Sequence, residues 1–375
     1  MNGKLFIPAI AAIFLSACVS TSSETEINNK RLVSSVRFPS VARMEYTLKR
    51  GANPDTCDKF GVPVLIKSAA MQKKDHVKLL LKYGADVQVS DPDGETALFA
   101  AVAGNSFPVV EILLQHGALI NANNKDGKTP VMESARLGNL DMLKFLCEKG
   151  ADLSGKDNSG ADITVYAASA EQNGVEILKF LEEKGIHINF RNSRESLSPF
   201  LKALSFQRVA TAKYLLDKMP ALDSSDEMKE VGKAAAFFAI SENEIELVKA
   251  LVAKGLQLNY KEPFSYRFAK LINVDGVYKL AARTDVIDRG YTPLMYACIY
   301  GHPEIVEFLM DSGADPFVES MEGQTASDYA KDAATSQMIE RKTKELRKKY
   351  LKNKIEQKGL IIEKDKSIKR STILQ

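Results

Sequence analysis

Apolar residues along this chain come in short bursts at helical spacing, and the bursts themselves recur. Leu143, Phe145 and Leu146 precede Gly150, and Ile305, Val306, Phe308 and Leu309 precede Gly313. Each burst follows a shorter apolar segment that opens with Thr-Pro, at Thr129-Pro130 and at Thr292-Pro293. Apolar positions three and four apart share one face of a helix, so each segment predicts a pair of short helices with one buried face. Glycines set the period. Gly61, Gly94, Gly127 and Gly160 are each 33 residues apart, as are Gly84, Gly117 and Gly150, with Gly185 two residues late. Gly290 and Gly323 show the same interval near the C-terminal end. A fixed interval of this length marks a stack of like units, none able to bury its apolar face alone.

The residues around these glycines resemble the ankyrin repeat. One unit reads Asp126-Gly127-Lys128-Thr129-Pro130-Val131, then Ala135, Gly138-Asn139, Leu143 to Leu146 and Gly150-Ala151-Asp152. Another reads Gly290-Tyr291-Thr292-Pro293-Leu294, then Ala297, Gly301-His302 and Gly313-Ala314-Asp315. The resemblance implies an all-α fold, an ankyrin-repeat solenoid of helix-turn-helix units with β-hairpin loops. In each unit Thr caps the first helix, Pro fills its first turn, and a glycine after the second helix turns the chain at positive φ. About eight to nine repeats are expected over 34–333, the first ending at Gly51-Ala52-Asn53. Others fall near 58–90, 91–123, 124–156, 157–189, 193–224, 229–259 and 287–319, and a closing half-unit holds Gly323-Gln324-Thr325-Ala326. Three units depart from the pattern. Asp162-Ile163 stands for Thr-Pro, Ser198-Pro199-Phe200 softens it, and Lys233-Ala234-Ala235 is expected at the helix start of the unit ending at Gly255.

Family members bind proteins through hairpin tips and first helices along one concave surface. The matching positions are Pro92, Asp93, Glu95, Lys125, Asp126, Lys128 and Arg136, followed by Asp157, Asn158, Tyr291, Ile299 and Tyr300. Between Asn259 and Gly290 the register slips by about thirty residues. This insertion, 260–289, mixes Tyr260, Phe264, Tyr266, Phe268 and Tyr278 with Arg267 and several lysines. Two readings of it are open: a binding loop built on aromatic and Arg anchors, with Tyr260, Phe264, Tyr266 and Arg267 as contacts, or a decayed repeat that packs on the stack.

The first residues carry a different signal. Lys4 precedes an apolar stretch from Leu5 to Leu15, too short to span a bilayer as a helix, and Leu15-Ser16-Ala17-Cys18 follows. This resembles the bacterial lipobox, which implies cleavage of a signal peptide, 1–17, and acylation of Cys18. Residues 18–33 begin with a Ser/Thr/Glu/Asn-rich run and are expected to form a flexible tether. Val19, in a place where Asp favours inner-membrane retention, points to the outer membrane, with the body facing the periplasm.

Composition changes this picture in one respect. The net charge of +3 divides unevenly: residues 335–375 carry 13 Lys+Arg against 5 Asp+Glu. That basic tail, 334–375, reads as a solvated helical extension or as a contact to an anionic surface. The four cysteines, Cys18, Cys57, Cys147 and Cys298, match no zinc spacing or dense disulfide framework, and the four histidines are scattered. No phosphate loop or catalytic grouping is visible, so neither an enzyme nor a cofactor or metal is expected. The expected function is a membrane-anchored protein–protein interaction module whose partner is an envelope or periplasmic protein. An immunity protein and a protector of an envelope enzyme are two versions of it. The alternative is a structural tether from the outer membrane to cell wall or an anionic surface through the basic tail. Beyond the protein partner and the membrane held by the lipid, no nucleic acid and no small-molecule substrate is expected.

Overall fold

A computed structural model describes residues 24–190, 198–260 and 290–348. The chain divides into two compact units, Met1–Lys202 and Ala203–Gln375. In the first, helix pairs follow one another: α1 (24–35) and α2 (Ala42–Lys49), α3 (Val64–Ala70) and α4 (Lys74–Lys82), α5 (Ala97–Ala103) and α6 (Phe107–Gln115). Next come α7 (Pro130–Arg136) with α8 (Leu140–Glu148), and α9 (Ile163–Ser169) with α10 (Gly174–Glu183). The first helices α3, α5, α7 and α9 pack in sequence, each against the next, and α4 packs on α6 behind them. The boundary between the units falls in α11 (Pro199–Ser205).

The second unit continues with α12 (Val209–Lys218), α13 (Asp226–Ser241), α14 (Ile245–Ala253), α15 (Pro293–Tyr300) and α16 (Pro303–Asp311). A 3₁₀ turn, Ala326–Tyr329, packs on α15, and α17 (333–348) ends the described chain. Here α12, α14 and α16 form one row, and α13, α15 and the 3₁₀ turn form the other. Leu80, Leu113, Leu146, Leu181, Leu215, Leu251 and Leu309 occupy one register position on successive second helices, and all are fully buried. Burial of this kind, shared between neighbours, stabilises units too small to fold alone.

Local chemistry explains the element ends. The Thr96 and Thr129 hydroxyls accept the N–H of Phe99 and Met132, each at 3.4 Å. Where Thr-Pro is replaced, Asp162 caps α9 instead, its Oδ1 accepting the Thr164 N–H at 2.9 Å. After α4, Gly84 has φ +84°, and Ala85 donates back to the Leu80 carbonyl at 3.0 Å. The turn between the two helices of a pair also needs one left-handed residue. Gly138 and Gly301 supply it in two repeats, and Gln72, Asn105, Asn173, Gln207 and Asn243 in others. Some of these polar residues also reach a neighbouring repeat: Gln72 Nε2 donates to the Gly104 carbonyl of the next at 2.7 Å, and Asn173 Nδ2 to the Gly138 carbonyl of the one before at 2.9 Å.

Three expectations are corrected. The tether gives way to helix α1 from residue 24, because Leu32, Asn28 and Ser35 are buried against the first unit and Asn28 Nδ2 donates to the Arg50 carbonyl at 3.1 Å. The helix start placed at Lys233 lies two turns earlier, at Asp226, where the Ser225 hydroxyl accepts the Met228 N–H at 3.2 Å. Lys233 sits mid-helix, buried, with its ammonium on Glu230 at 2.8 Å. The first part of the basic tail is not a solvated extension. Thr335 and Ile339 of α17 are buried, and Lys342 Nζ reaches Asp311 at 2.6 Å and Glu307 at 3.2 Å on α16. As expected of an insertion between two units, the repeat before it stacks directly on the one after it: α13 packs on α15 and α14 on α16. The Asp315 N–H donates to Asn259 Oδ1 across 56 residues, the bond that Asp152 makes to Asn121 across 31. Residues 1–23, 191–197, 261–289 and 349–375, with the lipidation site Cys18 and the candidate contacts Phe264, Tyr266 and Arg267, lie outside the described residues.

Candidate protein-binding surface

Among the described residues of the first unit, each of four hairpin tips is folded by one side chain. Asp58, Asp91, Asn124 and Asp157, 33 residues apart, each turn one oxygen onto two backbone N–H groups, two and four residues further on. Such a turn uses up the carboxylate or amide that builds it and leaves the next two side chains facing water. These are Lys59-Phe60, Pro92-Asp93 and Lys125-Asp126; in the fourth tip Asn158 is exposed, while the Ser159 hydroxyl turns back onto Asp157 Oδ1 at 2.7 Å. Isolated antiparallel bridges, Cys57 to Pro63, Ser90 to Thr96 and Lys156 to Asp162, close the tips. Adjacent tips are also tied together. Lys125 N–H donates to the Asp93 carbonyl and Asn158 N–H to the Asp126 carbonyl, both at 2.9 Å.

Below the tips, nine residues after each tip-folding residue, the first helices place Lys67, Ala100, Glu133 and Tyr166. Lys67 binds Asp58, and the Tyr166 hydroxyl donates to Asp157. Glu133, 8% exposed, receives a two-pronged bond from Arg136, Nε to Oε2 at 2.8 Å and one terminal nitrogen to Oε1 at 2.6 Å. Ala100 is the small residue of the series. Beside it Glu95 is half-buried, and its carboxyl is held above the ordinary range by that burial and then by Asp91 and Glu133, with Asn124 opposing.

Glu95 therefore binds its proton more readily in the folded chain than in the unfolded one. Stability then falls as pH rises through the window from the unfolded value, near 4.5, to the higher folded value, and stays reduced above it. Glu95→Gln is expected to raise the melting temperature at pH 7 and to leave it unchanged at pH 4. Scanning calorimetry at the two pH values measures the difference; equal shifts at both would show that Glu95 carries no such cost.

The structure brings together the expected contacts of the first unit. Pro92, Asp93, Lys125 and Asp126 are exposed on neighbouring tips, Lys128 leans on Asp126 at 3.0 Å, and Arg136 is exposed on the first helix beneath them. Tyr300 is half-buried, stacked on His302 and edge-on to Phe237. Tyr291 and Tyr260 are corrections. Tyr291, 4% exposed, is wedged between Tyr296 and Tyr329, since the residue after Gly290 points inward against the closing 3₁₀ turn. Tyr260, 9% exposed, lies under the buried Lys233 ammonium at 5.1 Å. Neither ring is free to meet a partner. Phe60, Met71 and Lys67 are surface residues that the motif reading passed over. Phe60, 69% exposed, shares the register of Asp93 and Asp126, so the 33-residue interval alone identifies it.

Cys298 is buried and its thiol is pushed up to about 12, chiefly by that burial. Burial likewise raises the half-buried Cys147, and Cys57, exposed, is raised by burial and by Asp58 and Asp55. None of the three is an activated nucleophile. Among the described residues no group of three His, Cys, Asp or Glu is placed to hold a metal, and no helix is long and apolar enough to cross a membrane.

The chain matches the family models for ankyrin repeats, three copies over residues 36–124, 118–192 and 165–262 and a further match over 281–330. It is 31% identical over 111 residues to Dauer abnormal formation protein 25 of Caenorhabditis elegans, covering 27% of this chain and 29% of that protein. It is 49% identical over 43 residues to the NAD-capped RNA hydrolase NUDT12 of Homo sapiens and of Macaca fascicularis, covering 12% of this chain and 9% of each. The chain thus spans under a third of these relatives, and the second match is little longer than one 33-residue unit. Matched across most of its length by these models, the chain belongs to the ankyrin-repeat family.

Proposed function

We propose that this chain is a lipid-anchored module that holds a protein partner at the bacterial envelope, through the tips and first helices of its first unit. Ankyrin repeats are protein-interaction modules and in general not enzymes. The observation that carries the reading is the row of tips itself. Asp93, Lys125, Asp126 and Asn158 stand on turns fixed by internal hydrogen bonds and tied to one another, so a partner meets charges that are already in position. Preorganisation of that kind lowers the ordering cost of association. Anchoring rests on Lys4, the apolar run to Leu15 and Leu15-Ser16-Ala17-Cys18. Outer-membrane placement facing the periplasm, and a role as immunity protein or protector of an envelope enzyme, are the finer parts of this reading. The described part of the basic tail is docked on α16, which favours the module over a tether acting through that helix.

The test is affinity capture of the tagged chain from gently solubilised envelopes, with mass spectrometry of what co-purifies. One stoichiometric partner is expected. It should be lost with the triple variant Asp93→Ala, Lys125→Ala, Asp126→Ala and kept with Lys78→Glu, which alters an exposed residue of the second-helix row. Cys18→Ala should abolish palmitate labelling and release the protein from the membrane fraction. A partner indifferent to the triple variant would refute the surface, and membrane retention of Cys18→Ala without label would refute the anchor.

A further inference from the structure

The corrected N-terminal helix creates a site that a flexible tether could not. α1 and the chain after it face the tip and first helix of the next repeat across a cleft of about 820 Å³. Pockets that recognise small ligands have about this size, which leaves room for a side chain and the peptide around it. Its floor is apolar, made by Val33, Val36 and Met71, with Phe60 at the mouth. Lys73 fixes this wall, its ammonium donating to the Val36 and Phe38 carbonyls at 2.6 and 2.9 Å.

Charge around the cleft is unbalanced. Glu26 and Asp58 are both engaged, by Lys30 at 2.8 Å and by Lys67. Arg37 and Lys59, also on the rim, have no carboxylate partner among the described residues; the Lys59 ammonium lies over the Phe60 ring at 4.8 Å. Two unopposed cations therefore flank an apolar floor.

The geometry points to a binding site for an acidic peptide segment bearing one large apolar side chain. The apolar side chain seats on Val33, Val36 and Met71. The carboxylates beside it meet Arg37 and Lys59. An acidic occupant is favoured over a basic one because the carboxylates present are paired and the free charges are positive. The inference rests on the reading that this surface binds protein, and names the chemistry of one end of the contact.

Cys57 lines the same cleft and is exposed, which supplies a site-specific probe. The full chain is titrated with fluorescent hexapeptides in which Leu, Ile, Phe or Tyr is flanked by glutamates, and maleimide labelling of Cys57 is followed by mass spectrometry. At least one of these peptides is expected to bind and slow labelling of Cys57. Arg37→Glu with Lys59→Glu should weaken binding by about tenfold or more, and raised salt should weaken it as well. Met71→Asp should weaken it without altering the fold, since Met71 is exposed. Equal binding of peptides with glutamine in place of glutamate, tighter binding of lysine-flanked peptides, or no protection of Cys57 by any member would each overturn the site. Failure here with the captured partner still lost on the Asp93, Lys125, Asp126 variant would leave the binding surface standing and remove only this cleft.

Discussion

Gly138→Ala is expected to destabilise the first unit by about 3 kcal/mol or more, while Gly117→Ala costs about 1 kcal/mol. Both glycines have positive φ, +74° and +85°, so any Cβ is strained at either. Their surroundings differ. A Cβ at Gly117 meets nothing within 4 Å, whereas one at Gly138 falls 2.3 Å from the Gln172 carbonyl oxygen. That oxygen is backbone in the helix-to-helix turn of the next repeat, so it cannot rotate away. The same turn is held to Gly138 by the Asn173 side chain, whose amide donates to the Gly138 carbonyl at 2.9 Å. The substitution therefore either breaks that bond or displaces the α9–α10 turn. Gly138→Asn separates the two causes: asparagine tolerates the left-handed backbone, as Asn105 does one repeat earlier, but still carries the Cβ. Urea unfolding of the three variants measures the costs. Equal losses for Gly138→Ala and Gly117→Ala would mean that backbone strain alone is at work.

Leu113→Ala should cost about 2–5 kcal/mol, the range for emptying a fully buried leucine site. Leu113 lies in α6, which packs on α5 of its own repeat and on α4 of the repeat before, and its side chain is fully buried. A hole there loosens the contact between two repeats as well as the interior of one. In a stack whose stability is a sum of unit and interface contributions, such a loss is not confined to one helix. Circular dichroism with urea should show the midpoint fall. Leu119→Ala provides the contrast: at 63% exposed, it should change stability by no more than about 0.5 kcal/mol. A Leu113→Ala variant as stable as the parent would contradict the packing described for the second helices.

The positions that the motif reading identified best are those where one backbone requirement admits few residues. Gly84, Gly117 and Gly150 end helices at positive φ, and Thr96, Thr129 and Thr292 cap them, so each repeat announces itself by residue type and interval. Where several residue types satisfy one requirement the signal faded. Asp162 caps as well as threonine, and Gln72, Asn105, Asn173, Gln207 and Asn243 take the left-handed turn that glycine takes at Gly138. The tips were legible for the same reason as the helix ends. Asp58, Asp91, Asn124 and Asp157 each fold a turn locally, which leaves the residue that follows each of them outward.

The sequence by itself thus determined the repeat, its period, the helix ends and the outward row of tip residues, because all of these follow from contacts within about ten residues. Only the tertiary structure decided which residues those repeats cover. Polar α1 looks unable to fold alone, yet Leu32 and Asn28 find their partners on the following helix and its turn. Tyr291 reads as a tip aromatic until Tyr329, 38 residues on, packs edge-on to it at 4.9 Å. The cleft beside Phe60 joins α1 to the second tip, and the closure of the stack around the insertion rests on Asn259 and Asp315, 56 residues apart. Burial depends on which surfaces meet, and surfaces brought together from distant parts of the chain leave no periodic mark in either segment.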